Sequence, residues 1–440
     1  MLIPNMAAFE PYVQSLKQLI EDALRDPHSA IYREAGAGVL DGQAGIQLRA
    51  LVDLTHRKLA GAFFTSSSLR QRAIKGITHS FNENSIIIDP ACGAADLLIE
   101  CAAYLPVCSD LTATIQSWGK QLYGFDSQPQ FIQAAKSRLL LRAMDRVTCW
   151  NGYRLPKLDE VFPLVQAGDS LESAEAVAKA THIVLNPPYT RFDTPPNCEW
   201  SSGKVSAAAV FLDFCLTQAT PGARLVAILP DVLRSGSRYA KWRGRVESLA
   251  QVEDVDCVGR FDAHTDVDVF ILRLIAGLSI TKRTVAWTKS SVSVSPQTVD
   301  DFFHVSVGPV VPHRDPRIDP PRPFIYARLL SGHRTYNADT ADKQSVKGRS
   351  VTPPFVVVRR TSRPDTSDRI IATIITGYEP VMVENHLIIL KPRVNCLSSC
   401  ESLMENIDDE RTKTWLNERI RCRHLTVTAL KALPWWSGER

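Results

Sequence analysis

Four residues, Asn186, Pro187, Pro188 and Tyr189, follow a short apolar segment that is typical of a buried strand. A residue before proline is held extended, and each proline fixes its own φ and lacks an N–H, so the segment is stiff. It therefore presents two acceptors, the Asn186 side-chain oxygen and the Pro187 carbonyl, beside the ring of Tyr189. Two acceptors aimed at the N–H bonds of an exocyclic amine would make its nitrogen more nucleophilic. The alternative interpretation is a plain turn.

Three aspartates, Asp89, Asp126 and Asp169, are predicted to follow other strands of the same region. Asp89 opens a run of small residues, Asp-Pro-Ala-Cys-Gly, between a predicted strand and a predicted helix, and such a turn lets a ligand approach the backbone. Asp126 follows the next strand, where a carboxylate can accept hydrogen bonds from ribose hydroxyls. Asp169 can accept from an exocyclic amino group. The alternative for each acid is a loop residue or a helix N-cap.

Short apolar strands alternate with amphipathic helices between about residues 85 and 275, which predicts an α/β domain with a mostly parallel sheet. Ligands bind at the carboxyl ends of the strands in such sheets. The predicted strands are 86–88, 122–125, 183–185, 225–229, 252–258 and 267–275, and the predicted helices are 96–104, 129–144, 207–220 and 239–250. The pattern changes after about residue 280, where Pro, Ser, Thr and Arg dominate and the segments 354–360, 369–376 and 386–392 alternate like strands. We therefore predict three regions: a helical extension over 1–55, a catalytic domain over 56–285 and a mixed α/β domain over 286–440.

The composition, with 45% hydrophobic and 22% charged residues, is that of an ordinary globular protein. No apolar run reaches the roughly 18–20 residues that span a bilayer, and the acidic N-terminal segment indicates a helix rather than a signal peptide. Ten scattered cysteines indicate free thiols and a cytoplasmic protein. We predict no metal site, because the spacing of the one candidate set matches no compact zinc pattern. That set is Cys396, Cys400, Cys422 and His424.

The order of these motifs resembles that of a known family, the amino-group DNA methyltransferases that use S-adenosylmethionine and place a target-recognition domain at the C-terminal side. The resemblance covers residues 55–275 well and 300–440 only loosely. It rests on Ala-Gly-Ala-Phe-Phe-Thr at 60–65, Asp-Pro-Ala-Cys-Gly at 89–93, Asp126, Asp169, Asn-Pro-Pro-Tyr at 186–189, and Val-Gly-Arg-Phe at 258–261 followed by 266–274.

The resemblance implies a Rossmann-like methyltransferase fold with a seven-stranded sheet, and the function of an N6-adenine DNA methyltransferase. Tyr189 would stack on a flipped-out adenine, with Phe261 as a hypothesis for its other side; Phe192 is a rival aromatic residue, and core packing is the alternative for Phe261. Asn186, Pro187, Pro188 and Tyr189 are the implied catalytic residues. The implied cofactor-binding residues are Phe64, Thr65, Asp89, Ala91, Cys92, Gly93, Asp126, Ser127, Asp169, Ser170 and Asn186.

The C-terminal region carries the positive charge of the chain. Residues 311–370 hold 12 Lys or Arg against 6 Asp or Glu, and Arg359, Arg360 and Arg363 follow a predicted strand. Such a surface attracts a phosphate backbone, although it is more often simply a solvated face. We therefore predict that duplex DNA is the partner, that these three arginines contact it, and that the protein is a monomer.

Other functions remain open at the level of the sequence. The same tetrapeptide serves RNA adenine methyltransferases and protein glutamine methyltransferases, although the latter are usually smaller and lack a C-terminal recognition domain. A non-catalytic DNA-binding subunit is a further alternative, because Gly93-Ala94-Ala95 stands where the family often has Gly-Ser-Gly, and Ser66 stands where it usually has Pro. The segment before the catalytic domain is too short for a nuclease. We therefore expect the modification enzyme of a restriction-modification system, with a separately encoded endonuclease.

Overall fold

The computed structural model of the chain describes residues 7–26, 30–61, 64–147, 157–196, 198–262, 265, 267–277, 285–288, 291–292, 296–311, 320–346, 348–362, 364, 369–421 and 423–436. The chain divides into two compact units, one of residues 1–234 and 238–286 and the other of residues 235–237 and 287–440. Within the described ranges, no helix has the length and apolar character needed to cross a membrane.

The first unit is built on a seven-stranded sheet with the order β3-β2-β1-β4-β7-β9-β8. Strands β1, β2, β3, β4 and β7 are parallel, whereas β9 runs antiparallel to both of its neighbours. This confirms the Rossmann-like seven-stranded sheet. A separate hairpin pairs β5 with β6. The strands are β1 Ile87–Asp89, β2 Leu122–Asp126, β3 Val165–Ala167, β4 His182–Leu185, β5 Arg191–Asp193, β6 Lys204–Ser206, β7 Arg224–Pro230, β8 Ala250–Arg260 and β9 Asp268–Ala276.

The helices of the first unit form two packing groups. In one, α1, α2, α6 and α7 pack on α8, and in the other α9 and α12 pack on α10. The N-terminal helices thus belong to the same compact unit as the sheet. The helices are α1 Glu10–Arg25, α2 Ala30–Leu40, α3 Gln43–Leu51, α4 Leu54–Ala60, α5 Ser67–Ile74, α6 Asp96–Ala102, α7 Leu111–Gln121, α8 Pro129–Arg146, α9 Ala174–Lys179, α10 Ala207–Gln218, α11 Asp231–Ser235 and α12 Ala240–Leu249.

The alternation of short apolar and amphipathic segments predicted these elements closely. Each strand predicted between residues 85 and 275 is present with bounds shifted by at most two residues, as when 122–125 becomes Leu122–Asp126. The pattern did not predict β3, because two of its three residues are exposed and the apolar signal is too short. It also did not predict the β5–β6 hairpin, whose strands have three residues each.

The second unit is a mixed α/β structure. Its largest sheet has five strands in the order β10-β17-β14-β15-β12, and a three-stranded sheet has the order β13-β11-β16. The helices α14, α15 and α16 contribute apolar residues to a core shared with the larger sheet. The elements are α13 Val299–Phe302, β10 Phe303–Val307, β11 Arg322–Ile325, β12 Thr335–Asn337, β13 Lys343–Gln344, β14 Phe355–Arg359, β15 Ala372–Thr376, β16 Met382–Val383, β17 Leu387–Pro392, α14 Leu397–Asp408, α15 Glu410–Arg419 and α16 Val427–Lys431.

Candidate active site

The strand order of the large sheet reverses beside β1, because β2 and β3 lie on one side of it and β4 and β7 on the other. In open α/β sheets, the crevice at such a reversal, beyond the carboxyl ends of the strands, is the usual ligand site. Asp89 ends β1, Asp126 ends β2, and Asn186 directly follows β4. The parallel pairing of these strands brings the three residues to one edge of the sheet.

Asp89 is buried at this edge. Only 2% of the residue is exposed, and its Oδ1 accepts from the Ala91 N–H at 3.1 Å. Burial, with a smaller contribution from the nearby carboxylate of Asp126, raises the pKa of Asp89 to about 8. The next turn is tied to β2, because the Cys92 N–H donates to the Phe125 carbonyl at 2.9 Å. The acid and the turn are thus held against β2.

Asp126 closes the turn from the side of β2. It is half-buried and accepts from the Gly93 N–H at 3.1 Å and from the Gln128 N–H at 2.8 Å. Burial raises the pKa of Asp126 to about 6, although both hydrogen bonds favour the ionised form. Each carboxylate oxygen has more than one lone pair, so the group can also accept from a ligand hydroxyl. The neighbouring Ser127 is exposed.

Asp169 lies beyond β3, which pairs with β2 so that its last residue is opposite Asp126. Asp169 is exposed and its Oδ1 accepts from the Leu171 N–H at 2.9 Å, at the start of the one-turn 3-10 helix Ser170–Glu172. The structure therefore brings Asp169 to the edge that holds Asp126. Its contact with the adenine of a cofactor stays a prediction, as does that of Ser170.

Gly93 lies in the left-handed region, with φ 53°, and faces an aromatic cluster. A Cβ at this position would lie 2.8 Å from Cε1 of Phe64. The Phe64 ring is held in turn by Phe131 and Phe9, with ring centroids 5.1 Å and 6.0 Å away. The loop continues through Ala95, which has φ 68° although it is not glycine. Only the absence of a side chain at Gly93 allows the loop to lie this close to Phe64.

The residues at this edge suit S-adenosylmethionine by their chemistry. Carboxylates at the ends of β1 and β2, Asp89 and Asp126, can face the cationic groups and the ribose hydroxyls of that molecule. The missing side chain at Gly93 lets the Phe64 ring pack directly on the turn that follows Asp89. Phe64 and Thr65 form the adjacent wall, whereas residues 62 and 63 of the same motif lie outside the described residues.

The candidate catalytic loop, residues 186–189, is held by its own side chains and by Thr65. Asn186 Nδ2 donates to Thr65 Oγ1 at 2.8 Å, and the Tyr189 hydroxyl donates to Asn186 Oδ1 at the same distance. The Tyr189 hydroxyl also lies 3.3 Å from the Ile228 carbonyl. Pro187 is buried, and the backbone of Gly61 packs so closely on Pro188 that a Cβ on Gly61 would overlap it. The loop is thus fixed by its contacts with Thr65, Ile228 and Gly61 as well as by its own prolines.

Tyr189 contacts Phe261 edge to face, with ring centroids 5.9 Å apart and an interplanar angle of 87°. Burial raises the pKa of Tyr189, so its hydroxyl stays protonated. Phe261 is almost fully buried and packs in the core of the first unit, while Phe192 contacts Phe211 at 6.3 Å. Phe261 therefore supports the Tyr189 ring from its edge, and a direct contact of Phe261 with a base stays a prediction.

Two of the three predicted DNA-contacting arginines bind main-chain carbonyls in the second unit. Arg359 Nη2 donates to the Ala327 carbonyl at 2.9 Å, and Arg360 Nη1 donates to the Asn385 carbonyl at 3.0 Å. Both residues are half-buried, and Arg363 lies outside the described residues. Arg359 and Arg360 therefore have structural contacts in this unit, and their role toward DNA stays a prediction. Among the described residues, no cluster of His, Cys, Asp or Glu could hold a metal ion.

Sequence reasoning missed two buried ion pairs next to residues 89–96, the candidate cofactor loop. Asp96 pairs with Arg138 at 2.9 Å, and Glu100 pairs with Arg70 at 3.0 Å. All four side chains are at least 94% buried. The available signal was a charged residue inside an otherwise apolar helix, as in Asp-Leu-Leu-Ile-Glu at the start of α6. That signal does not identify the partner, which lies 30 or more residues away in the chain.

Three of the solved structures that match this chain come from restriction-modification enzymes. MmeI, a type IIL restriction-modification enzyme solved in complex with DNA, is 12% identical over 88% of this chain and 70% of its own, with a TM-score of 0.54. The type IIG restriction endonuclease BpuSI is 13% identical over 88% of this chain, with a TM-score of 0.45, and the chain spans 62% of its length. A modification subunit of a type I restriction enzyme from Vibrio vulnificus YJ016 is 14% identical over 53% of this chain and 49% of its own, with a TM-score of 0.39. No protein among curated sequences matches the chain.

The family match covers the part of the chain that contains the site. Residues 51–258 match the N-6 DNA methylase family model, and this range includes Thr65, Asp89, Asp126 and Asn186. The match agrees with the Rossmann-like sheet and identifies S-adenosylmethionine as the cofactor. Over residues 51–258 the chain is therefore similar to the N-6 DNA methylase family.

Proposed function

We propose that the protein transfers a methyl group from S-adenosylmethionine to the N6 amine of an adenine flipped out of duplex DNA. One observation carries the proposal: the Asn186 amide is held with Oδ1 toward Tyr189, at the sheet edge that also holds Asp89 and Asp126. An acceptor, an aromatic ring and a cofactor loop thus meet at one place.

The acceptor role of Asn186 follows from its contacts. Its Oδ1 already accepts a hydrogen bond from the Tyr189 hydroxyl at 2.8 Å, so the oxygen is oriented toward a donor on the Tyr189 side. A base stacked on Tyr189 would present its amine to that oxygen and to the Pro187 carbonyl. These two acceptors would draw the amine nitrogen toward a tetrahedral, more nucleophilic geometry. Since Pro188 has no N–H, the backbone places no competing donor there.

No strong base is required to start the reaction. When bound, S-adenosylmethionine supplies a sulfonium methyl group, and positive charge is lost from sulfur as the methyl group leaves. The amine therefore needs orientation and two acceptors rather than prior deprotonation, and the methylated nitrogen would release its extra proton to water after the carbon–sulfur bond has broken. Asp89 is buried at the end of β1, where its carboxyl group is available for ligand binding.

Duplex DNA is the partner that the remaining features favour. A paired base cannot reach such a loop while stacked, so it must be flipped at a cost of a few kcal/mol, which stacking on Tyr189 would partly offset. Residues 311–370 carry the excess of positive charge that a phosphate backbone attracts. MmeI, which shares the fold, was solved with DNA. A role as the modification enzyme of a restriction-modification system, beside a separately encoded endonuclease, is consistent with these similarities.

The decisive experiment is transfer of tritiated methyl groups from S-adenosylmethionine to unmethylated genomic DNA, total RNA and a protein lysate in parallel. We expect label in DNA, recovered as N6-methyladenine by mass spectrometry. Label only in RNA or in protein glutamine would establish one of the alternative methyltransferase functions. Absence of label with retained DNA binding would establish a non-catalytic subunit. Restriction sites that become resistant in cells expressing the protein would then identify the recognised sequence.

A further inference from the structure

Thr65 joins the cofactor loop to the catalytic loop through two hydrogen bonds. Its backbone N–H donates to Asp96 Oδ2 at 2.9 Å, and its Oγ1 accepts from Asn186 Nδ2 at 2.8 Å. Thr65 is 3% exposed, so both bonds lie away from bulk water, where they are stronger and costly to lose. One residue thus contacts the first turn of α6 and the catalytic amide.

Asp96 is itself immobilised by a buried arginine. Its Oδ1 lies 2.9 Å from Arg138 Nη2, and the Arg138 side chain is fully buried. Arg138 also donates from Nε to the Val39 carbonyl at 3.2 Å and from Nη1 to the Ala94 carbonyl. A charge pair in such a setting is held in one geometry, because moving either partner would leave a buried charge uncompensated. The carboxylate that holds Thr65 is therefore fixed by α8, by α2 and by the cofactor loop.

The orientation of the Asn186 amide depends on this arrangement. An asparagine side chain has one accepting end and one donating end, and only the accepting end can draw on an amine. With Nδ2 bonded to Thr65 Oγ1, the oxygen lies on the side of Tyr189, where its hydroxyl donates to Oδ1. Rotation of the amide by half a turn would bring its N–H groups to that side instead and would repel the substrate amine.

We propose that Thr65 is a positioning residue that orients the Asn186 amide, with the Asp96–Arg138 pair holding Thr65 in place. This inference rests on the proposed methyl transfer to an exocyclic amine. It assigns Thr65 a different task from binding the cofactor, and the two tasks predict different kinetics. Loss of a cofactor contact raises the Kd for S-adenosylmethionine, whereas loss of the orientation of the Asn186 amide lowers kcat and leaves that Kd unchanged.

The test compares Thr65→Val, which keeps the shape and removes the hydroxyl, with Thr65→Ser, which keeps the hydroxyl. On unmethylated genomic DNA we expect Thr65→Val to lower kcat by about 10²-fold, the scale of a misplaced catalytic group, with little change in the Kd for S-adenosylmethionine measured calorimetrically. Thr65→Ser should recover most of the lost rate. Thr114→Val is a matched control, because buried Thr114 also makes two hydrogen bonds through its hydroxyl, to Asp110 and Cys108 on another part of the first unit. It should lower the Tm without lowering kcat.

A raised Kd for S-adenosylmethionine with wild-type kcat in Thr65→Val would overturn the inference in favour of cofactor binding. Unchanged values of both Kd and kcat would also overturn it.

A second measurement does not depend on activity. In a double-mutant cycle on thermal unfolding, Thr65→Val and Asn186→Ala should together lower the Tm by less than the sum of their single effects, because both remove the same hydrogen bond. Additive effects would overturn the inference. Failure of the wild-type protein to methylate any nucleic acid would instead remove the proposed function and leave this coupling measurable.

Discussion

The catalytic loop at residues 186–189 and the cofactor loop at residues 89–96 reach their geometry in different ways. The catalytic loop is stiff by its own composition, because two prolines restrict three consecutive residues. The cofactor loop contains a non-glycine residue in the left-handed region, Ala95 at φ 68°, and a buried carboxyl group whose pKa is raised to about 8 by burial, Asp89. Tertiary contacts hold Ala95 and Asp89 in place. The candidate catalytic groups are thus encoded locally, whereas the candidate cofactor site depends on the surrounding fold.

The largest expected effect is on the catalytic loop. Asn186→Ala removes the side-chain acceptor, and loss of one preorganised polar group in an active site lowers kcat by about 10²–10³-fold or more. Binding of S-adenosylmethionine should persist, since the cofactor loop is built by β1 and β2. The rate of methyl transfer at saturating S-adenosylmethionine measures kcat, and calorimetry measures cofactor binding as the control. Near-normal turnover would contradict the assignment of Asn186.

The next effect separates the ring of Tyr189 from its hydroxyl. Tyr189→Ala should weaken transfer by the value of a stacked base, about 1–3 kcal/mol, while Tyr189→Phe keeps the ring and should lose less. The hydroxyl bonds to Asn186 Oδ1, so Tyr189→Phe also frees that acceptor from a competing donor. Single-turnover rates of the two variants give the comparison. Equal losses would show that stacking does not hold the base.

The next prediction concerns Asp89. The pH dependence of the Tm tests whether burial of its carboxyl group lowers the stability of the protein. The pKa of about 8 for buried Asp89 lies above its ordinary value of 3.8, so the folded state binds the proton more tightly, and stability falls as pH rises from about 4 to 8. Asp89→Asn keeps an oxygen for the Ala91 N–H but cannot ionise. The Tm of the variant minus that of the wild type, without cofactor, should therefore increase between pH 5 and pH 9. A difference that is flat or decreases with pH would exclude a buried, destabilising Asp89.

The smallest expected effect is that of Ala95→Gly, at the alanine whose backbone lies in the left-handed region. An alanine in that region costs roughly 1–2 kcal/mol, and glycine costs about 0.5–1 kcal/mol in chain entropy, so Ala95→Gly should change stability by less than about 1 kcal/mol. It should bind S-adenosylmethionine at least as tightly as the wild type. Ala94→Gly is the matched control, because Ala94 is equally buried and has no positive φ to relieve. It should lower stability. Weaker cofactor binding in Ala95→Gly alone would show that the Ala95 methyl group supports the loop.

Much of the first unit could be predicted because its strands are apolar and its helices amphipathic, and these periodicities survive in a single sequence. The strand ends then placed Asp89, Asp126 and Asn186 at one edge, as parallel pairing requires. Strand β3 was missed because only one of its three residues is buried. The contacts of Arg359 and Arg360 with main-chain carbonyls could not be foreseen, since local sequence does not show which carbonyls a folded chain brings within reach.

The sequence by itself determined which groups are candidates for the chemistry and how stiff the segment that carries them is, because proline acts on its own backbone and its immediate neighbour. Only the tertiary structure decided how these groups are oriented. Thr65 meets Asn186 across 121 positions of the chain, and Asp96 meets Arg138 in the buried interior. The physical reason is that a hydrogen bond or an ion pair requires two groups at a fixed distance, and folding alone brings distant residues to that distance.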